Sequence, residues 1–310
     1  HILVIYIVFI YNLLIYIYIY MNSKLYNKHF LLNTIIIISL VYGTIMYLLK
    51  TFLQEKSIVS KLKNTAVADE LLNYIENNLV SNQKTTTHFY IEDLPENIKE
   101  KVEIINNELL EKLGSDYNTI PQINEVYFTA KKTGNSDNSF TNLHSDSPFF
   151  YCDTYRFLVV LKPNDNVITI IPDDNISKNL EKYDILGFDY ARKLHYIKIK
   201  ESESSDSRIV LKLHFAKTNI CNKLTKRYTR WARSLYVNNL NYIDYRGYGM
   251  LLNQFIGAYS LYFAIFYLTI AYIYFTSKNE NILLMTILLT SLIITGFHFF
   301  LTLLFYFIDY

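Results

Sequence analysis

The sequence predicts an α+β domain, with helices packed on one sheet of a sandwich or jelly roll and transmembrane helices flanking it. Three observations predict this class. Hydrophobic residues make up 51% of the 310-residue chain and charged residues only 19%, yet the apolar content gathers in long runs at the two ends. The polar middle, about 54 to 248, opens with segments of helical period. From residue 122 it changes to short β-branched and aromatic runs broken by Gly, Pro, Asn, Asp and Ser.

The first twenty residues end in an Ile-Tyr repeat, and Met21 follows directly. They are expected to be either an untranslated leader from an AT-rich gene or an extra span. Residues 29–52 hold the uncharged run LLNTIIIISLVYGTIMYLL. At roughly 1.5 Å per residue it is long enough to cross a hydrocarbon core of about 30 Å. Two further uncharged runs, 255–275 and 282–308, are separated by little more than TSKNEN. They read as a transmembrane hairpin over 250–309.

Two helices open the middle. Val67, Leu71, Ile75 and Leu79 fall on one face of a helix over 64–80. A second starts near Asp93 and Pro95, carries Ile98, Val102, Ile105, Leu109 and Leu113 as its stripe, and stops at Gly114. Six strands follow: NEVYFTAKK, YRFLVVLK, NVITIIP, YDILGFD, LHYIKIK and RIVLKLHF. In the last, alternation puts Ile209, Leu211, Leu213 and Phe215 on one face and Arg208, Val210, Lys212 and His214 on the other. The first face suits packing under the helices. The second suits either a cavity that receives an anion or a solvated outer surface.

A basic helix over 221–240 is expected to lie in a membrane interface, with Leu224, Tyr228, Trp231 and Leu235 on one side and Lys223, Lys226, Arg227, Arg230 and Arg233 beside them. That pattern implies a lipid bilayer as partner and not nucleic acid. Basic residues near the spans favour a cytosolic domain in an integral membrane protein. Glycosylation at the Asn175-Ile-Ser177 sequon would refute that placement. The net charge of +2 selects no partner, and Cys152 and Cys221 fit no zinc pattern and read as free thiols.

The candidate chemistry centres on TNLHSDSPFF, residues 141–150. His144 and Asp146 are two apart in an extended segment and so point the same way, as a one-sided metal grip requires. Such a pair alone is weak, because seven histidines make a chance occurrence common. His195 is the best third ligand, with His214 as its rival. Arg208 follows on a strand that could lie beside the one bearing His195, and a guanidinium facing a cavity is a natural partner for a carboxylate.

These residues resemble the Fe(II)- and 2-oxoglutarate-dependent dioxygenases, most nearly the prolyl-hydroxylase-like branch. The matching positions, in order, are Tyr127 and Gly134, His144 and Asp146, YRFLVVL, Thr169 with Pro172, DILGFD, His195 and Arg208. The resemblance covers about 120–216. It departs from the pattern in the Tyr127–Gly134 spacing, in NDNV before Thr169, and in the acidic ESESSD between His195 and Arg208. It implies a double-stranded β-helix over 54–218 in which His144, Asp146 and His195 hold Fe(II). Arg208, with help from Tyr127, would bind 2-oxoglutarate as cosubstrate. The implied reaction converts 2-oxoglutarate to succinate and hydroxylates a substrate, and tethering beside a bilayer favours a protein or lipid-linked one. Two other readings stand beside it: a non-catalytic jelly-roll binding or scaffold module tethered to a membrane, and an integral membrane transport protein with a soluble appendage. The latter's spans lack paired charges.

Overall fold

The computed structural model describes residues 52–83, 87–129, 143–147, 149–199, 207–238 and 306–307. A seven-stranded antiparallel sheet forms the frame. Its order is β1 (Ile58–Lys61), β8 (Asp184–Asp189), β5 (Thr154–Lys162), β10 (Arg208–Ala216), β4 (Glu125–Thr129) and β2 (Thr87–Tyr90), with β3 (Asn118–Thr119) also paired to β10. A smaller antiparallel sheet runs β7 (Ile176–Asn179), β6 (Val167–Ile171), β9 (Tyr196–Ile199). The six strands expected from sequence correspond to β4, β5, β6, β8, β9 and β10. The short β1, β2, β3 and β7 were not foreseen.

Helices α1 (Thr65–Asn78) and α2 (Glu96–Leu113) cover one side of the large sheet. Their buried stripes, Ala68, Leu71 and Ile75 with Ile98, Val102, Ile105 and Leu109, meet Ile209, Leu211, Leu213 and Phe215 of β10 and Val126 and Phe128 of β4 in one core. Each of these side chains except Ala68 contributes about 1.5–3 kcal/mol by leaving water. No side chain caps α1 from its own N-cap, Asn64. Instead the buried Glu108 of α2 accepts hydrogen bonds from the backbone N–H groups of Lys63 and Asn64 and from the Asn64 amide. Pro95, not Asp93, precedes α2, and Gly114 ends it at φ +97°. In β8, a Cβ on Gly187 would collide with the rings of Phe157 and Tyr155, so this strand packs backbone against aromatic rings.

The opposite face of the large sheet looks toward the small one. Val210, Val160, Leu186 and Phe188 pack there against Ile171 of β6 and Leu180. Cross-strand register puts Arg156 opposite His214 and Phe188, and Lys212 opposite Glu125 and Leu158. Tyr127 stands opposite Val210 and His88, and Arg208 opposite Thr129. The cationic face of β10 therefore lines the space between the sheets, the cavity alternative of the two that alternation left open.

Three expectations need correction. Among the described residues no helix is long and apolar enough to cross a membrane. The leader over 1–20 and the spans expected at 29–52 and 250–309 lie outside the described residues, save for Phe52, Tyr306 and Phe307. Flanking transmembrane helices and an integral membrane localisation are thus no part of the observed fold, which is an antiparallel, sheet-rich domain. Second, α3 (Asn219–Asn238) does not hold the first part of its apolar face toward lipid. Leu224 and Tyr228 are buried, Tyr228 packs edge-on to Phe149 at 5.7 Å, and Arg230 pairs with Glu92. An amphipathic stripe states that something covers it, not what. Third, Cys152 and Cys221 form a disulfide with their Cα atoms 5.2 Å apart, fastening α3 to the segment before β5.

Candidate metal centre

His144 and His195 meet through their backbones. The His144 N–H donates to the His195 carbonyl at 3.1 Å, and the His195 N–H donates back at 2.9 Å. This is the closed pair of an antiparallel ladder, which sets two side chains next to each other. Their ring centroids are 4.5 Å apart. Asp146 faces the same way, and one ligand atom from each of His144, Asp146 and His195 lies within 4.8 Å of the others. Both histidines are buried, at 2% and 8% exposure.

The donor set fits a cation. Nδ1 of His195 lies 3.3 Å from the Lys193 carbonyl, and its Nε2 lies 3.2 Å from Asp146 Oδ2. Nε2 of His144 lies 3.8 Å from Asp146 Oδ1. Lone-pair donors crowded this closely need a proton or a metal ion among them. Burial pushes the Asp146 carboxyl up, but Arg156 and the two histidines outweigh it and hold it well below the usual carboxylate range. Asp146 is therefore available as an ionised ligand. Two histidines and one carboxylate on one side of a site form the set that suits non-haem Fe(II) and leaves other positions open.

Arg156 is the principal residue that sequence reasoning missed. Its Nη1 donates to Asp146 Oδ2 at 2.5 Å, its Nε donates to His214 Nε2 at 2.9 Å, and its guanidinium lies 4.3 Å from the centroid of the Tyr190 ring. The available signal was an arginine set into YRFLVVLK, a strand apolar on both faces. Lys212, Glu125 and His88 belong to the same buried face. Glu125 lies 3.3 Å from Lys212 Nζ and 2.9 Å from His88 Nδ1, and Lys212 sits 3.9 Å above the Tyr127 ring.

His214 is no third ligand. Its Nε2 accepts from Arg156, so the ring is neutral, and burial followed by the charge of Arg156 holds its pKa well below the ordinary histidine value. Its Nδ1 is buried without a hydrogen-bond partner among the described residues.

Arg208 and Tyr127 lie on the same inner face, one register step apart on β10 and β4. Arg208 is buried to 6% exposure and forms no hydrogen bond or ion pair among the described residues. Burial lowers its pKa, with only a partial offset from Tyr127. A buried guanidinium without a carboxylate carries a large desolvation cost. It has the character of a subsite for an anion. Lys212, by contrast, has Glu125 beside it. Gly134, the remaining residue of the tyrosine–glycine pair, lies outside the described residues.

No family model matches the chain, and no curated protein matches it. Solved structures do. The non-heme alpha ketoglutarate dependent epimerase SnoN from nogalamycin biosynthesis aligns with a TM-score of 0.37 at 13% identity, covering 56% of this chain and 82% of that one. A Pseudomonas putida prolyl-4-hydroxylase aligns at 0.33 and 8%, covering 57% and 100%. Prolyl 4-hydroxylases from Phytophthora capsici align at 0.38 and 10%, covering 82% and 92%.

Proposed function

We propose that the chain is an Fe(II)- and 2-oxoglutarate-dependent oxygenase of the hydroxylase type. The observation that carries the reading is the joint presence, on one inner face, of a buried two-histidine, one-carboxylate cluster and a buried arginine with no counter-ion among the described residues.

His144, Asp146 and His195 would hold the metal, which supplies the activation of dioxygen. Arg208 would receive the distal carboxylate of 2-oxoglutarate, exchanging an unpaired buried charge for a charge-assisted hydrogen bond. Tyr127, one register step away, borders the same subsite. Arg156 keeps Asp146 ionised and oriented. Val160, Val210, Leu186 and Phe188 form a buried apolar layer on the same face of the sheet. The overall reaction takes 2-oxoglutarate, dioxygen and a C–H substrate to succinate, carbon dioxide and an alcohol. Proximity to a bilayer was the sole ground for expecting a protein or lipid-linked substrate, and no described helix supports that proximity.

The test is succinate formation from 2-oxoglutarate by the full chain, with and without Fe(II). Iron-dependent succinate that disappears in Asp146→Ala supports the oxygenase. A folded protein that binds metal and 2-oxoglutarate but releases no succinate under any condition would instead be the non-catalytic jelly-roll module.

A further inference from the structure

A metal ligand is only as well placed as what holds it, and Asp146 is held by one side chain of opposite charge, Arg156. That guanidinium has little freedom of its own to be accurate. It emerges from the middle of the sheet, where β10 and β8 flank it through His214 and Phe188. Its edge is engaged by Asp146 and His214, and its plane rests on the ring of Tyr190.

Tyr190 is itself built in. It is 2% exposed, its N–H donates to the Thr154 carbonyl at 2.9 Å, and its ring meets His214 edge-on at 5.3 Å. The residues around it are pinned by Arg192, whose Nε reaches Asp189 and whose Nη2 reaches Asp153, each at 2.6 Å. The Tyr190 hydroxyl pairs with the Thr229 hydroxyl of α3 at 3.0 Å. The disulfide from Cys152 to Cys221 holds that helix in place. A continuous line of contacts therefore runs from α3 through Tyr190 and Arg156 to Asp146.

We propose that Tyr190 is a positioning residue for the metal ligand Asp146, acting through the face of the Arg156 guanidinium. The proposal rests on the metal-centre reading and adds to it a residue that touches neither the metal ligands nor the anion subsite. The ring is the operative part. A flat π surface lets the guanidinium lie in one plane while both of its edges donate. An aliphatic side chain of similar volume fills the space without fixing that plane. The hydroxyl's contact with Thr229 secures the ring from outside and is the lesser contribution.

The test uses Co(II) as a probe of the site in the full chain, read by affinity and by its visible absorption bands. Wild type is expected to bind one Co(II), and His144→Ala to abolish it. Tyr190→Leu is expected to weaken binding by about 10- to 100-fold, the range for losing an outer-shell partner, and to shift the bands. Tyr190→Phe, which keeps the ring, is expected to stay within about threefold of wild type. In an Arg156→Met background Tyr190→Leu should add nothing, because the two side chains act in series. Tyr190→Met replaces the leucine variant if that protein does not fold. Two results would overturn the proposal: an aliphatic Tyr190 variant with wild-type affinity and bands, or an effect that adds in full to Arg156→Met. Failure of the underlying reading is distinct, since wild type would then bind no Co(II) that His144→Ala removes.

Discussion

The peptide groups of His144 and His195 exchange two hydrogen bonds, at 3.1 and 2.9 Å, so the two histidines are brought together by main chain and not by side chain. The strand pairing that builds the fold also builds the site. Because the bridge survives truncation, His195→Ala should melt within a few degrees of wild type. Metal affinity should fall by more than about 100-fold, beyond the loss typical of an outer-shell partner. Differential scanning fluorimetry and a Co(II) titration of the same preparation check both halves.

Arg208 predicts opposite signs for stability and binding. In the absence of an anion its buried charge is a burden, so Arg208→Met should stabilise the metal-free protein by about 1–3 kcal/mol. The same variant should lose roughly 10- to 100-fold in affinity for 2-oxoglutarate, the worth of a charge-assisted hydrogen bond. Chemical denaturation and calorimetric titration provide the two measurements. A variant that is both less stable and unchanged in binding would show that Arg208 serves the fold.

The acid limb of stability should carry the mark of Asp184. Its enclosed carboxylate lies 2.9 Å from Lys61 Nζ and 3.0 Å from Lys178 Nζ, and it accepts the Glu181 N–H at 2.9 Å. Burial raises its pKa, but these partners more than compensate and lower it below the ordinary aspartate value. With the folded value below the unfolded one, the unfolded chain binds more protons between the two. The stabilisation is present in full above about pH 4, where unfolded aspartate is ionised. It is lost as pH falls through the folded value. Asp184→Asn should flatten the pH dependence of the melting temperature in that window.

Reduction should matter more than the disulfide's position near the end of the domain suggests. The bond joins residues 69 apart in sequence, and closing a loop of that size in the unfolded chain corresponds to roughly 4 kcal/mol. The melting temperature should therefore fall on adding a thiol reductant. Cys152→Ser/Cys221→Ser should melt where the reduced wild type does and ignore the reductant.

Much of this was legible in local pattern. The alternation in RIVLKLHF assigned both faces of β10, because period two is a property of the strand itself. The HSD spacing placed two candidate ligands, His144 and Asp146, on one side of an extended segment, and DILGFD announced the strand leading to His195. Properties that depend on partners distant in sequence were not legible. Arg156 looks like one charge in an apolar strand until register sets it beside Asp146 and His214. Cys152 and Cys221 show no spacing rule, and only the docking of α3 brings them together. The stripe of α3 had been assigned to lipid for the same reason, since a helical face records its own polarity and not the chemistry of the surface it covers. Glu108 as the cap of α1 lies in another helix, where no N-terminal motif would point to it.

The two faces of β10 have a consequence for how this chain can change over generations. Odd positions hold the helices and even positions hold the charge, so fold and chemistry share a single parity. Substitution can alter one position and leave its neighbours' roles untouched. Gain or loss of one residue just after Arg208 would exchange the faces of everything beyond it. It would set Lys212 and His214 under α1 and α2, and turn Leu211, Leu213 and Phe215 toward the charged face. In β10 the identity at a position can change alone, whereas the residue count cannot.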